Sequence, residues 1–260
     1  MRRRILPVSL ALTAICASNF GCGEEEPASP VLARAAEKTL DAGGARFVSS
    51  SFAALVDWSV RIRERGVMDA EGSTDLVYWT FTRQRGAPQR TGVARQRLIG
   101  DTSYVRRLPR GSWTRIDTGR TPFRASSLLG TGPAALDHLP FLRQVRRIGQ
   151  EDVRRVRTVR YTVETPLHRI SELAVPSERK EVRRELQRLI GLKARGRGLR
   201  TDAWVDGKGR VRRVRERLSL RLPGYHRRPS QATTDYISFG PQPRIEAPPN
   251  ATKDLSALAD

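Results

Sequence analysis

Apolar and polar residues alternate with period two through most of this chain. The clearest run is Phe52, Ala54, Val56, Trp58, Val60 and Ile62, interleaved with Asp57, Ser59, Arg61 and Arg63. It predicts one long strand with an apolar face and a wet face. Further strands are expected near 66–71, 74–83, 91–99, 102–107 and 112–117. Gly66, Gly72, Gly86-Ala-Pro88, Gly100-Asp101 and Pro109-Arg-Gly111 separate them. Short strands with such turns predict an antiparallel meander. Two more are expected over 144–150 and 154–165. A final three span 199–206, 210–222 and 232–239, with a turn at Asp206-Gly-Lys-Gly209.

Helical periods interrupt this pattern three times. Residues 31–41 carry Leu32, Ala36 and Leu40 on one stripe and end at Gly43-Gly44. Pro133 opens a short helix with Leu136 and Leu139 on its apolar side, stopped by Pro140. Residues 177–192 have Ser177 as cap, Glu178 and Glu181 in the first turn, and a stripe of Val182, Leu186, Leu189 and Ile190. The order predicts an α+β fold, an antiparallel sheet with a few helices laid against one face.

The N-terminus stands apart. Arg2, Arg3 and Arg4 precede an apolar stretch from Ile5 to Ile15, then Gly21-Cys22. That stretch is short of the roughly twenty residues of a membrane span, and it reads as a secretory signal over 1–21. Gly21 before Cys22 suits lipid attachment to that cysteine, although Asn19 and Phe20 suit it poorly. The alternative is an ordinary signal cut near Ala17 or Gly21. Residues 22–29 read as the lipidated cysteine with an acidic tether, and 30–260 as one domain. No cysteine follows Cys22, so no internal disulfide is expected.

Net charge is +21, and +18 without the three signal arginines. Export argues against nucleic acid as partner, as do arginines spread along strands with no expected aromatic platform beside them. The excess reads first as a solvated basic sheet face, and alternatively as attraction to anionic lipid head groups.

Several segments then resemble a known family. Gly100-Asp101-Thr-Ser-Tyr104 with Gly111-Ser-Trp113 is similar to paired strands of the LolA-like lipoprotein-carrier superfamily, in its actinobacterial LppX/LprG-type branch. Leu139 to Gly149 resembles its leucine-rich helix leading into a strand. Val153 to Tyr161 resembles a strand with Thr158 and Tyr161 in place and Arg155 where the family has glycine. Asp202-Ala-Trp204-Val-Asp206-Gly-Lys-Gly209 resembles its penultimate hairpin. Asp235 to Phe239-Gly240, with Ala247-Pro248, resembles its closing strand and tail. The resemblance implies a curved, incompletely closed half-barrel whose helices cover the concave side over an apolar cavity for lipid or lipidated molecules. The implied cavity candidates are Phe52, Val56, Trp58, Val60, Ile62, Val77, Trp79, Phe81, Val182, Leu186, Leu189 and Ile190. The implied partners are a lipid or lipidated molecule and the membrane surface reached through Cys22, with the protein exported and anchored on the outer face of the cell membrane. The second reading is an envelope adaptor or sensor of the same fold, its core filled by side chains.

Catalytic chemistry has little footing. His138, His168 and His226 lie far apart, without metal-ligand spacing, and no cofactor or metal is expected. There is no Gly-x-Ser-x-Gly elbow and no phosphate-binding glycine loop. Asp202 and Asp206 share a strand face, and their expected role is structural, beside Arg200 and Arg210.

Overall fold

The computed structural model describes residues 28–55, 58–117, 129, 131–173, 179–191, 195–221 and 230–252. The expected signal, Cys22 and most of the tether lie outside these residues, as do Val56 and Ser177.

The strands are β1 (Gly44–Leu55), β2 (Trp58–Asp69), β3 (Thr74–Gln84), β4 (Arg90–Ile99), β5 (Thr102–Arg107), β6 (Thr114–Asp117), β7 (Arg146–Val153), β8 (Val156–Thr165), β9 (Arg195–Asp206), β10 (Val211–Arg221) and β11 (Ser230–Phe239). They form one antiparallel sheet in the order β6-β5-β4-β3-β2-β1-β11-β10-β9-β8-β7. The chain meanders from β1 out to one edge, crosses to the other, and meanders back until β11 pairs with β1. Edge strands β6 and β7 do not pair, so the curved sheet stays an open half-barrel.

Helices α1 (Ala28–Leu40), α2 (Ala134–Asp137) and α3 (Arg179–Gly191) cover one face, with 3-10 turns at Leu139–Phe141 and Leu167–Glu172. Leu32, Ala35 and Ala36 of α1 and Leu136 and Leu139 beyond it pack on Phe47, Tyr236, Val214 and Ala203 of the sheet. The architecture is the expected α+β arrangement.

Four local expectations are corrected. The strand expected over 52–62 is two strands, β1 and β2, paired antiparallel with Leu55 opposite Trp58, and residues 56–57 between them lie outside the described residues. No glycine, proline or asparagine stands between the two strands, and the alternation of the sequence runs on from one to the other, which hid the boundary. Gly66 lies inside β2, where it separates nothing. A Cβ there would come within 2.6 Å of the Leu76 Cβ, so glycine serves close strand approach. In α1 the buried stripe is Leu32, Ala35, Ala36 and Thr39, while Leu40 is 37% exposed. Thr39 takes the inward place because its Oγ1 donates to the Ala35 carbonyl (2.6 Å) and accepts from the Val211 amide (2.8 Å). Pro140 continues its segment into the 3-10 turn at Leu139–Phe141, proline being tolerated in a first helical turn.

The β7–β8 hairpin closes on Arg154 and Arg155, both left-handed at φ 49° and 66°. Two such residues make the turn that suits strand twist, and side chains with a Cβ are disfavoured there. Arg155 is the position where the resembling family has glycine. Arg155→Gly should therefore stabilise the protein by about 1 kcal/mol, seen as a higher midpoint in urea at unchanged slope. A lower midpoint would show that Arg155 contributes contacts exceeding the backbone strain.

Candidate functional site

Strand register sorts the side chains onto two faces. On the helix-covered face one row runs Thr80, Ile62, Ser51, Ala232, Glu216, Thr201, Val163. The next runs Tyr78, Glu64, Ser49, Thr234, Val214, Ala203, Tyr161. The centre of this face is therefore floored by short side chains, Ser49, Ser51, Ala53, Ala232 and Thr234. Under α1 the face is packed solid. Towards β2 and β3 it opens, and Ser51, Ala53, Val60, Ile62, Tyr78 and Thr80 are all partly exposed among the described residues. This partly exposed stretch, with an apolar flank on β2, is the candidate trough.

Val60 and Ile62 stand in this trough. Trp58 has the same register parity. Val182 and Leu186 of α3 are buried in the core cluster with Ile170, Leu173, Leu199 and Leu218. Leu189 and Ile190 belong to the same helix, and their side chains lie outside the described residues. Phe52, Val77, Trp79 and Phe81 stand elsewhere. They pair in register with Arg61, Arg65, Arg63 and Arg61 again, on the face away from the helices. The β1–β2 register is the cause, since Leu55 opposite Trp58 puts even-numbered β1 residues and odd-numbered β2 residues on one side.

The sequence did not point to the polar edge of the trough. Ser49 Oγ lies 2.9 Å from Thr234 Oγ1, and both accept from the Gly132 amide. Tyr236 donates to the Gly132 carbonyl at 2.8 Å, fixing the segment before α2 across β1 and β11. Beside them Glu64 Oε1 accepts from Thr131 Oγ1 at 3.5 Å. Burial pushes its carboxyl up to about 7, against hydrogen bonds from Thr131 and Ser49 that lower it. Its Oε2 is buried without a hydrogen-bond partner. The only sequence signal for this cluster is Ser49-Ser50-Ser51, an unusual serine run within a strand.

The outer face has a different chemistry. Arginines lie over aromatic rings, Arg63 over Phe81 and Arg65 over Trp79, each at 5.8 Å from the ring centroid. Trp113 lies under Arg97 and Arg106, and Trp204 under Arg160, Arg213 and Arg215. The expectation of arginines without aromatic neighbours is thus corrected: cross-strand register brings together residues far apart in sequence. Aspartates bind several of the arginines of this face. Asp75 takes Arg95 (2.6 Å) and Arg97 (3.0 Å), and Asp235 takes Arg213 (2.5 Å) and Arg154 (2.9 Å). Asp202 lies between Arg160 (3.2 Å) and Arg200 (3.4 Å), and Asp206 between Arg210 (3.1 Å) and Arg212 (2.8 Å). Burial alone would raise the carboxyls of Asp202, Asp206 and Asp235. Their hydrogen bonds and arginine charges outweigh it and hold all three below the ordinary carboxylate range.

The family-motif residues hold the hairpins. Gly100 and Asp101 form the β4–β5 turn, and Tyr104 stands opposite Arg97 and Arg115. Thr158 Oγ1 donates to the Glu151 carbonyl, beside the register shift at Gly149. Trp204 is fully buried and its Nε1 donates to Glu151 (3.0 Å). Asp206 Oδ1 accepts from the Lys208 and Arg210 amides, closing the turn that ends at Gly209. Phe239 stacks with Tyr236 at 6.5 Å, and the Gly240 amide donates to the Gly44 carbonyl. Among the described residues no three His, Cys, Asp or Glu side chains gather as a metal site.

No protein-family model matches the chain, and no curated protein does. Among solved structures it is similar to LprF from Mycobacterium bovis, at 11% identity and a TM-score of 0.46, over 86% of this chain and 97% of that one. It is also similar to the lipoprotein LppX from Mycobacterium tuberculosis, at 12% identity and a TM-score of 0.44, over 84% and 99%. Both are distant likenesses of fold.

The titrations have opposite signs. Glu64, raised when folded, favours the folded state below its ordinary 4.5, and that contribution is lost as pH rises through about 7. It amounts to roughly 3 kcal/mol. The three lowered aspartates contribute above their ordinary 3.8, and their contribution is lost as pH falls through their folded values. Stability should peak between these windows. Glu64→Gln should abolish the alkaline fall, measured as urea midpoints at pH 5 and pH 8, and an unchanged fall in that variant would assign it to another group.

Proposed function

We propose that this chain is an exported lipoprotein, anchored through Cys22 on the outer face of the cell membrane, that binds or shuttles a lipid or lipidated molecule without catalysis. The observation that carries this reading is the trough on the helix-covered face. Its floor of Ser51, Ala53 and Ala232 leaves depth, and Val60 and Ile62 line one side. An alkyl chain entering such a groove gains about 0.8 kcal/mol per buried methylene, so one long chain suffices for useful affinity. Trp58, Leu189 and Ile190 are the further candidates for the acyl site, with Val182 and Leu186 fixing α3 beside it. Phe52, Val77, Trp79 and Phe81 fall out of it. Glu64 would meet the polar end of the cargo with its unpaired oxygen. Asp202 and Asp206, each committed to two arginines, offer no free acid–base pair.

The second reading, an adaptor or sensor with a filled core, draws on the half of the sheet under α1, where Leu32, Leu136, Phe47 and Tyr236 leave no space. Lipid extraction of the purified protein separates the two. The carrier reading predicts co-purifying acyl lipid and uptake of a fluorescent fatty-acyl probe, with at least about tenfold weaker uptake in Ser51→Trp. An empty protein that takes up no probe would favour the adaptor. Palmitate labelling should mark the exported chain and vanish in Cys22→Ser, and labelling that persists there would displace the anchor from Cys22.

A further inference from the structure

The outer face of the sheet holds a second concave feature. A groove of about 510 Å³ crosses β3, β2, β1 and β11. Its floor is short, Val48 and Ser50 of β1 with Thr233 of β11, because period two brings the small residues of the Val48–Ser51 run outward as well as inward. One wall is Trp79 and Phe81 with Arg65 and Arg63 over their rings.

Arg61, Arg63 and Arg65 form a ladder along β2, about 7 Å from one to the next. All three are exposed. The other arginine lining the groove, Arg154, is ion-paired with Asp235, which also takes Arg213. No carboxylate among the described residues pairs with the ladder. Three like charges on alternate residues of one strand repel each other, so an anion bridging them relieves a cost already present in the fold. The aromatic wall adds an amphipathic rim of the kind that sits at head-group depth.

We propose that this outer-face groove docks the protein on a bilayer, with the Arg61–Arg63–Arg65 ladder seated on the phosphates of anionic lipid head groups. Charge complementarity selects this occupant. The groove is basic; of its two carboxylates Asp235 is paired with arginines and Glu64 belongs by register to the helix-covered face, and its apolar wall stands next to the cations, as in an interface with phosphate above and acyl chain below. The contact is separate from the cargo trough, which lies on the other face of the same strands. It would hold the half-barrel with its helices away from the membrane, and it does not depend on what the trough carries.

Vesicle flotation tests this on the full chain carrying Cys22→Ser, so that no lipid anchor contributes. Vesicles of pure phosphatidylcholine are compared with vesicles containing roughly a third phosphatidylglycerol. The chain should prefer the anionic vesicles, and the preference should disappear near 0.5 M salt. Each arginine at a membrane surface contributes roughly fivefold in partitioning, so Arg63→Gln with Arg65→Gln should weaken anionic binding about 25-fold. Arg183→Gln with Arg184→Gln, exposed on α3, should change it less than about twofold. Exposed substitutions of this kind leave folding intact, which thermal melting checks. Equal loss in the two pairs, no loss in the β2 pair, or a preference that survives high salt would overturn the proposal. So would release of the protein from vesicles by millimolar glycerol 3-phosphate, which would make the ladder a site for a soluble phosphate ester.

Discussion

Strand parity governs this molecule. In an antiparallel sheet a single residue of register decides whether a side chain meets the core or the solvent. The pairing of Leu55 with Trp58 sets that parity for β1 and β2, and the ladders carry it outward to both edges. It sends Val60 and Ile62 to the helix-covered face and Phe52 with Arg61 and Arg63 to the other. One apolar run in the sequence thus serves two surfaces, and the proposed cargo site and the basic groove lie back to back across the same strands.

The second constraint is charge. A chain of +21 cannot fold with its arginines unpaired in low dielectric, and it has 27 acids against 48 bases. The outer face meets this by sharing four aspartates between two arginines each and by laying arginines over rings. Asp75, Asp202, Asp206 and Asp235 each tie two strands or a turn together in this way. Trp204 has its whole indole roofed by Arg160, Arg213 and Arg215, so the sheet has a cationic cover where a sandwich would have a second sheet. The unpaired ladder on β2 stands out against this background. Glu64 is the opposite case, a carboxyl buried without any cation beside it.

Much of the architecture was legible in the sequence. Period two and Gly-containing turns located ten of the strands approximately, and Asp206-Gly-Lys-Gly209 was a turn with the chemistry it needed. Helix α3 was visible from its stripe at Val182 and Leu186. What was hidden has one cause in each case. No glycine, proline or asparagine stands between Leu55 and Trp58, so the alternation ran on and β1 merged with β2. Thr39 displaced Leu40 because a hydroxyl can satisfy the Val211 amide and a leucine cannot. The arginine–aromatic pairs and the Ser49–Thr234–Gly132 cluster join residues separated by long stretches of chain, and only register brings them together. The short side chains Ser51, Ala53 and Ala232 on the helix-covered face gave no hydrophobic signal, so the proposed cargo site could not be placed from periodicity.

The central claim is that cargo lies on the helix-covered face and head groups on the other. Photocrosslinking with a diazirine-bearing fatty acid tests it most directly, with the adducts mapped by peptide mass spectrometry. The account predicts adducts at Val60, Ile62 and neighbouring inward residues of β1 and β2. Adducts concentrated at Phe52, Trp79 and Phe81 would place the acyl chain on the outer face and contradict it.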